Sequence, residues 1–115
     1  MIVCILDDLL FSVKISTAAK ALGVEICFER TPETVFDRVK EKQPSLVIFD
    51  LNSWKMQPLS LIAQMKSDPQ TRRIRTLGFV SHVQTETIAA ARQAGIDDVL
   101  ARSAFADRLG VILKG

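Results

Sequence analysis

The sequence predicts an α/β fold in which a parallel sheet is covered by helices on both faces. Three observations lead to this class: unbroken apolar runs such as Leu46–Phe49, helical spacing of apolar residues between those runs, and acidic residues directly after two of them. A run that offers no polar residue to water fits a strand buried on both faces. Five strand signals alternate with five helix signals, so we expect right-handed β-α-β crossovers.

The size and charge of the chain allow one domain and favour no charged partner. Its 115 residues correspond to one domain with one core. The 15 Lys and Arg residues nearly balance the 13 Asp and Glu residues, so the net charge of +2 gives no strong field toward nucleic acid or anionic lipid. The sequence shows neither a membrane-spanning apolar run nor a signal-peptide pattern. We therefore expect a cytoplasmic protein that binds neither nucleic acid nor membrane.

The first strand and helix are predicted at the N-terminus. Ile2–Leu6 is entirely apolar and is followed by the acidic pair Asp7 and Asp8, of which Asp8 could cap a helix. The helix is predicted over Leu9–Leu22, because apolar residues recur there at helical spacing and Gly23 suits the left-handed end of a helix. We expect its core-facing side to contain the recurring residues Leu10, Val13, Ala18, Ala21 and Leu22.

The second strand and helix lead to the central strand. Val24–Phe28 alternates apolar with polar or small residues, as a strand nearer the sheet edge does. Thr31 as cap and Pro32 at the first helical position indicate a helix start, and that helix runs to about Lys42. The third strand lies within Ser45–Asn52, where the apolar run stops at a carboxylate.

The second half of the chain repeats the alternation. A helix is predicted over Leu59–Lys66, with its apolar residues on one stripe, and a strand over Thr76–Val80. An alanine-rich helix over Glu86–Ala94 ends at a glycine and is followed by a short strand over Asp97–Ala101. The last helix is predicted over about Ala104–Leu113.

The expected strand order is 2-1-3-4-5, the flavodoxin-like doubly wound (βα)5 arrangement. In that order the first and third strands are neighbours at the switch point, where ligands of open α/β sheets bind. Asp7, Asp8 and Asp50 should therefore share one crevice beyond the strand ends, with Ser81 and Arg102 on its rim. We expect Asp50 to be the centre of the site.

These residues resemble those of a known family. An acidic pair follows the first strand, an aspartate follows the third, a serine follows the fourth, and Ala-Gly-Ile-Asp-Asp leads into the fifth. This pattern is similar to that of the receiver domain of two-component response regulators. The resemblance covers essentially all of residues 1–115 and implies a single, stand-alone receiver-like domain with no output domain.

The resemblance implies a phosphoryl-accepting signalling site. In receivers Mg2+ is held by groups that correspond here to Asp7, Asp8, Asp50 and the backbone carbonyl of Asn52. Asp50 would accept phosphate from a histidine kinase or phosphotransfer protein, and Ser81 would hydrogen-bond a phosphoryl oxygen. Such a module is not an enzyme beyond Mg2+-dependent self-phosphorylation and self-dephosphorylation. Three clustered carboxylates repel, which independently favours a bound cation or shared protons.

We rank phosphoryl acceptance first, but three departures from the family pattern keep a second interpretation open. Arg102-Ser103 replaces the usual lysine and proline, Val99 replaces an aromatic residue, and Trp54 lies in a loop that usually contains glycine. Arginine cannot substitute for lysine as a point charge. The alternative is a phosphorylation-independent pseudo-receiver, a constitutive protein-interaction module whose acidic cluster Arg102 neutralises. A nucleotide or flavin carrier is disfavoured, because no glycine-rich turn follows the first strand.

In either interpretation we expect output to pass through another protein, since residues 1–115 show no DNA-binding or enzymatic segment. The resemblance implies a partner or homodimer surface formed by helix 4, strand 5 and helix 5. Trp54 could be a partner-binding anchor or could shield the core beneath its loop. His82 is expected in the loop beside the site, and Cys4 and Cys27 are expected to be small core residues.

Overall fold

The computed structural model describes residues 1–81 and 84–115, in which five strands alternate with helices. The strands are β1 (Ile2–Ile5), β2 (Ile26–Glu29), β3 (Leu46–Asp50), β4 (Arg75–Val80) and β5 (Asp98–Ala101). The helices are α1 (Leu9–Leu22), α2 (Val35–Lys42), α3 (Pro58–Ser67), α4 (Thr85–Ala94), α5 (Arg102–Asp107) and α6 (Leu109–Lys114).

The five strands form one parallel sheet in the order β2-β1-β3-β4-β5, which confirms the predicted topology. β1 pairs with β3 so that Ile5 lies opposite Phe49. Every residue of β1 and β3 is buried, as their unbroken apolar runs indicated. The ends of these two strands therefore meet at one edge of the sheet, where the predicted site should lie.

The hydrophobic core has one layer on each face of the sheet. On one face α2, α3 and α4 cover the sheet, and the predicted stripe of α3 is confirmed by the burial of Leu61, Ile62 and Met65. On the other face α1, α5 and α6 cover it. Here the rings of Phe11, Phe79 and Phe105 pack together, with centroids 4.8 to 5.8 Å apart. Aromatic rings at these distances attract one another beyond their apolar burial.

The predicted core-facing side of α1 is wrong. Leu10 is 85% exposed and Val13 is 64% exposed, and no residue of the predicted stripe is fully buried. The buried apolar residues of this helix are Phe11, Ile15 and Ala19 instead. Because the first half of α1 carries apolar residues all round, spacing alone could not select a face. The contacts of the Phe11 ring with the other aromatic residues select it.

The helix ends confirm some of the predicted caps. The Asp8 side chain caps α1 by accepting a hydrogen bond from the Phe11 N–H at 3.0 Å. Gly23 and Gly95 follow α1 and α4 with left-handed φ values of 68° and 107°. Both glycines thus adopt the backbone conformation that ends a helix.

The bounds predicted for the second and the last helix are wrong. α2 begins at Val35 rather than at Pro32, because Thr31 forms a turn in which its carbonyl accepts a hydrogen bond from the Thr34 N–H at 3.2 Å. The predicted last helix is split into α5 and α6 at Arg108, whose φ and ψ of −100° and 10° leave the helical region. α5 also begins at Arg102, directly after β5 and two residues earlier than predicted.

Cys4 and Cys27 are free thiols, as the sequence indicated. Burial, with a smaller contribution from Cys27, raises the pKa of the Cys4 thiol, which keeps this core residue protonated and unreactive. Within residues 1–81 and 84–115, none of the helices combines the length and the hydrophobicity that crossing a membrane requires.

Candidate functional site

The candidate functional site lies at the carboxyl edge of the sheet. Asp7 and Asp8 follow β1, Asp50 is the last residue of β3, Ser81 follows β4, and Arg102 follows β5. Asp7 and Ser81 are exposed, Asp8 and Arg102 are partly buried, and Asp50 is only 7% exposed. The structure thus places all five predicted side chains at one edge of the sheet.

Asp50 is a buried carboxylate with one backbone partner. Its Oδ1 accepts a hydrogen bond from the Asn52 N–H at 2.9 Å. Burial raises the pKa of Asp50, and the negative charges of Asp7 and Asp8 raise it further, while the Asn52 N–H and the Arg102 guanidinium oppose the rise. Asp7 and Asp8 are therefore close enough to act on the Asp50 carboxylate.

Asp8 is bound by both of its oxygens. Oδ1 accepts the helix-capping hydrogen bond from Phe11, and Oδ2 accepts a hydrogen bond from Arg102 Nη2 at 2.7 Å. The guanidinium carbon of Arg102 also lies 4.2 Å from the centroid of the Phe11 ring, a cation–π distance. The Phe11 N–H and then Arg102 lower the pKa of Asp8, which holds this carboxylate in its charged form.

Hydrogen bonds join the loops around the site. Ser53 Oγ donates to Asp7 Oδ1 at 2.9 Å and so links the β3–α3 loop to the β1–α1 loop. Asn52 Nδ2 donates to Gln84 Oε1 at 2.7 Å, and Asn52 Oδ1 accepts from the Ser81 N–H at 2.6 Å. His82, predicted to lie in this region, is outside the described residues.

Sequence analysis did not assign roles at the site to Phe11, Ser53 and Gln84. Phe11 lies in a helix that is rich in apolar residues. Nothing in the sequence indicates whether its ring only packs in the core or also contacts a cation. Ser53 is buried although it is polar, and its position three residues after Asp50 was the available signal. Gln84 immediately precedes α4, but nothing in the sequence pairs it with Asn52.

The acidic residues do not fit a magnesium ion in their present arrangement. Among residues 1–81 and 84–115 no three His, Cys, Asp or Glu side chains are grouped so that they could hold a metal ion. Two of these carboxylates already have hydrogen-bond partners: Asp8 accepts from Phe11 and Arg102, and Asp7 accepts from the Ser53 hydroxyl. A divalent ion at Asp8 would therefore compete with Arg102 for the same carboxylate.

Comparison with known proteins identifies the fold. No protein-family model matches the sequence, and no match was found among curated proteins. Among solved structures, a response regulator from Hahella chejuensis superposes with a TM-score of 0.84 at 13% identity, covering 98% of this chain and 92% of the other. The chain has the fold of response-regulator receiver domains. The predicted α/β class and strand order are those of this receiver fold.

Two further structures show the same receiver fold. One is the receiver domain of a sensor histidine kinase from Pseudomonas aeruginosa with a magnesium ion in its active-site cleft, with a TM-score of 0.84, 16% identity and coverage of 98% and 93% of the two chains. The other is the phosphorylated cyanobacterial phytochrome response regulator RcpA, with a TM-score of 0.75, 21% identity and coverage of 99% and 89%. At these identities the likeness establishes the fold, and the chemistry depends on this chain's own residues.

Proposed function

We propose that this chain is a receiver-fold signalling module that acts by binding another protein, with Arg102 taking the place of a metal ion at its acidic site. The observation that carries the proposal is the 2.7 Å hydrogen bond from Arg102 to Asp8. It favours the pseudo-receiver interpretation over phosphoryl acceptance, which the sequence alone ranked slightly first. The expected location of such a module is the cytoplasm.

An internal cation removes the need for a diffusible one. Two carboxylates about 5 Å apart repel by about 3 kcal/mol at an effective dielectric constant near 20. Arg102 offsets this repulsion from a fixed position, because its guanidinium stacks on Phe11 and its backbone begins α5. Magnesium binding would have to replace a charge-assisted hydrogen bond that is already formed. We therefore expect Arg102 to balance the charge of the carboxylates at the site permanently, without Mg2+ and without a phosphoryl donor.

Exposed apolar residues near the site support a role in protein binding. Four large exposed side chains, which we call the apolar patch, lie on two segments that flank the site: Leu9, Leu10 and Val13 on α1 are 65%, 85% and 64% exposed, and Trp54 in the β3–α3 loop is 88% exposed. The Ser53–Asp7 hydrogen bond joins the loop that carries Trp54 to the loop that leads into α1. At this exposure Trp54 does not shield the core, which supports the interpretation that it anchors a partner. Apolar side chains exposed together mark interaction sites.

The surface formed by α4, β5 and the C-terminal helices is a second docking surface in the proposal. Val111 of α6 is a large apolar residue that is 76% exposed. In this proposal it contacts a partner or a second copy of the chain. The patch beside the acidic site carries more exposed apolar side chains than this surface does. We therefore assign the downstream protein target to the apolar patch first.

Phosphoryl acceptance at Asp50 is the second candidate function. Its supporting observation is that Asp50 ends β3 with Ser81 and Arg102 at the neighbouring strand ends. One Asp50 oxygen would form a bond to the phosphorus of a histidine kinase, phosphotransfer protein or small donor, while the bond between that phosphorus and the donor breaks. Mg2+ held by Asp7, Asp8, Asp50 and the Asn52 carbonyl belongs to this candidate. In this candidate Mg2+ competes with Arg102 for the Asp8 carboxylate.

Fluorescence of Trp54, the chain's one tryptophan, separates the two candidates. The native protein and Arg102→Lys are titrated with Mg2+ and then with beryllofluoride, a stable analogue of an acyl phosphate, and each is incubated with acetyl phosphate for mass spectrometry. We expect no response and no added phosphoryl group in the native protein. A response that appears only in Arg102→Lys would show that Arg102 prevents Mg2+ binding and phosphorylation in the native protein. Phosphorylation of the native protein, lost in Asp50→Ala, would instead establish the second candidate.

A further inference from the structure

A cavity lies between α6 and the strands β4 and β5, at the amino ends of the strands and so opposite the acidic site. Its volume of about 320 Å³ is at the lower end of the range for small-molecule sites. The strands line it with Arg75 and Leu77 from β4 and with Asp98 and Leu100 from β5. Because alternate residues of a strand share one face, these four side chains lie on the face that α6 covers.

The other wall of the cavity is one stripe of α6. Arg108, Val111 and Ile112 have the i, i+3, i+4 spacing of a single helix face, and all three line the cavity. Leu109 and Leu113 on another side of the helix are buried and hold it against the core. Val111 is largely exposed and Ile112 is half-buried. The cavity therefore presents apolar surface that is left open to solvent by the part of the chain that the structure describes.

The charged side chains of the cavity favour an anion. Arg75 Nη2 lies 3.3 Å from Asp98 Oδ2, and both side chains are about half exposed, so this ion pair is weak. Arg108 is exposed and forms no ion pair within residues 1–81 and 84–115. Two arginines against one aspartate leave a net charge of +1 on these side chains. Since a guanidinium binds a carboxylate through two parallel hydrogen bonds, the cavity is complementary to a carboxylate monoanion.

A second cavity adjoins the first and extends along the amino ends of β1 and β3. Arg75 and Ile112 line both cavities. The second has a volume of about 240 Å³, and the buried apolar residues Ile2, Leu46 and Leu113 form part of its wall. A ligand whose charged group binds the arginines therefore has apolar surface beside it for a chain of several methylene groups.

We propose that the cavity beside α6 binds a medium-chain carboxylate, a monoanion with a short hydrocarbon chain. The carboxylate binds Arg108 and Arg75, and the hydrocarbon chain covers Leu100 and Ile112. This inference goes beyond the proposed function and does not depend on which candidate function is correct, because the cavity lies at the opposite end of the strands from the acidic site. A ligand bound there occupies the surface that includes Val111 and therefore competes with a protein that docks on this surface.

An NMR titration of the isotope-labelled protein with octanoate tests the proposal. The amide signals of α6 and β5 should shift in a saturable way, with a dissociation constant of roughly millimolar size for a ligand of about ten non-hydrogen atoms. Hexanoate should bind more weakly, by up to about fourfold for each methylene group removed. Hexanol, which has no charge, should bind more weakly than hexanoate, and acetate, which has no chain, should give no saturable shift at the same concentrations.

Two arginine variants make the test specific. Arg108→Gln removes the cation that has no partner and should weaken octanoate binding by about tenfold. Arg92→Gln makes the same change of charge on α4, outside the cavity, and should leave the affinity unchanged. Arg108 and Arg92 are both exposed, and thermal unfolding checks that both variants are folded.

Three results would overturn the proposal. The first is the absence of saturable octanoate shifts in α6 and β5, and the second is equal affinity of the Arg108→Gln and Arg92→Gln variants. The third is acetate binding as tight as octanoate binding, which would mean that the arginines attract any anion. Shifts in α6 that follow the protein concentration and not the octanoate concentration would show that a second copy of the chain covers this surface, which also overturns the proposal.

Discussion

The strength of the Arg102–Asp8 pair can be measured with a double-mutant cycle. The single variants are Arg102→Ala, which removes the cation, and Asp8→Asn, which removes the charge while asparagine keeps a good helix cap. The third variant combines both changes. The free energy of unfolding in urea is measured for all four proteins at neutral pH, and the interaction energy of the pair follows from the difference.

The structure gives the expected magnitude. The hydrogen bond is short, at 2.7 Å, and each side chain is 33% exposed. Exposed ion pairs contribute less than about 1 kcal/mol, whereas breaking a buried pair costs about 3 to 5 kcal/mol. For a pair with this partial exposure we expect a coupling of about 1 to 1.5 kcal/mol. The ring contact with Phe11 adds about 0.5 to 1 kcal/mol that belongs to Arg102 alone.

Arg102→Ala should therefore lower the free energy of unfolding by about 2 kcal/mol, which for a domain of this size lowers the melting temperature by about 8 °C. High salt should reduce the coupling between Arg102 and Asp8, because the pair is partly open to solvent. The matched control is Arg73→Ala, since Arg73 is exposed and forms no ion pair within the described residues. A coupling within about 0.3 kcal/mol of zero, near the limit of additivity, would refute the assignment of Arg102 as the internal cation.

Two further predictions concern burial. Asp50→Asn should raise the free energy of unfolding by about 1 kcal/mol near neutral pH, because an uncharged amide avoids the desolvation of the buried carboxylate. Burial raises the pKa of Asp50 above its value in the unfolded chain, so the native protein loses stability as the pH rises between these two pKa values. In acid the side chains of Asp50 and of the asparagine variant are both neutral. Unfolding free energies measured against pH should therefore show that the stability advantage of Asp50→Asn disappears in acid. On α1, Leu10→Ser should change the unfolding free energy by less than about 0.5 kcal/mol, whereas Phe11→Ala at the next position should cost about 3 to 5 kcal/mol. Equal losses in urea unfolding would contradict the observed orientation of this helix.

The sequence predicted the sheet because the signals for strands are local. An unbroken apolar run such as Leu46–Phe49 needs cover on both faces, and the alternation with helices then leaves few possible topologies. Helix caps such as Asp8 and Gly23 were predictable for the same reason, because each depends on the type of one residue at the end of the helix. The predicted convergence of acidic side chains followed from strand order alone.

Other features depend on contacts between distant parts of the chain. Asp8 and Arg102 are 94 positions apart. The predicted strand order placed Arg102 beside the acidic cluster, but it did not indicate which carboxylate Arg102 binds. The face of α1 was predicted wrongly because the packing of Phe11 against Phe79 and Phe105 selects it, and spacing within the helix does not. The break at Arg108 lies in a segment that reads as one helix, so only the packed structure reveals it.

The direct junction between β5 and α5 has a mechanical consequence. Ala101 ends the strand and Arg102 begins the helix, so no intervening residue can act as a hinge between them. A rotation of α5 therefore displaces the backbone of Arg102 and perturbs the contacts of its guanidinium with Asp8 and Phe11. A protein that binds the outer face of α5 would thereby act on the Arg102–Asp8 ion pair.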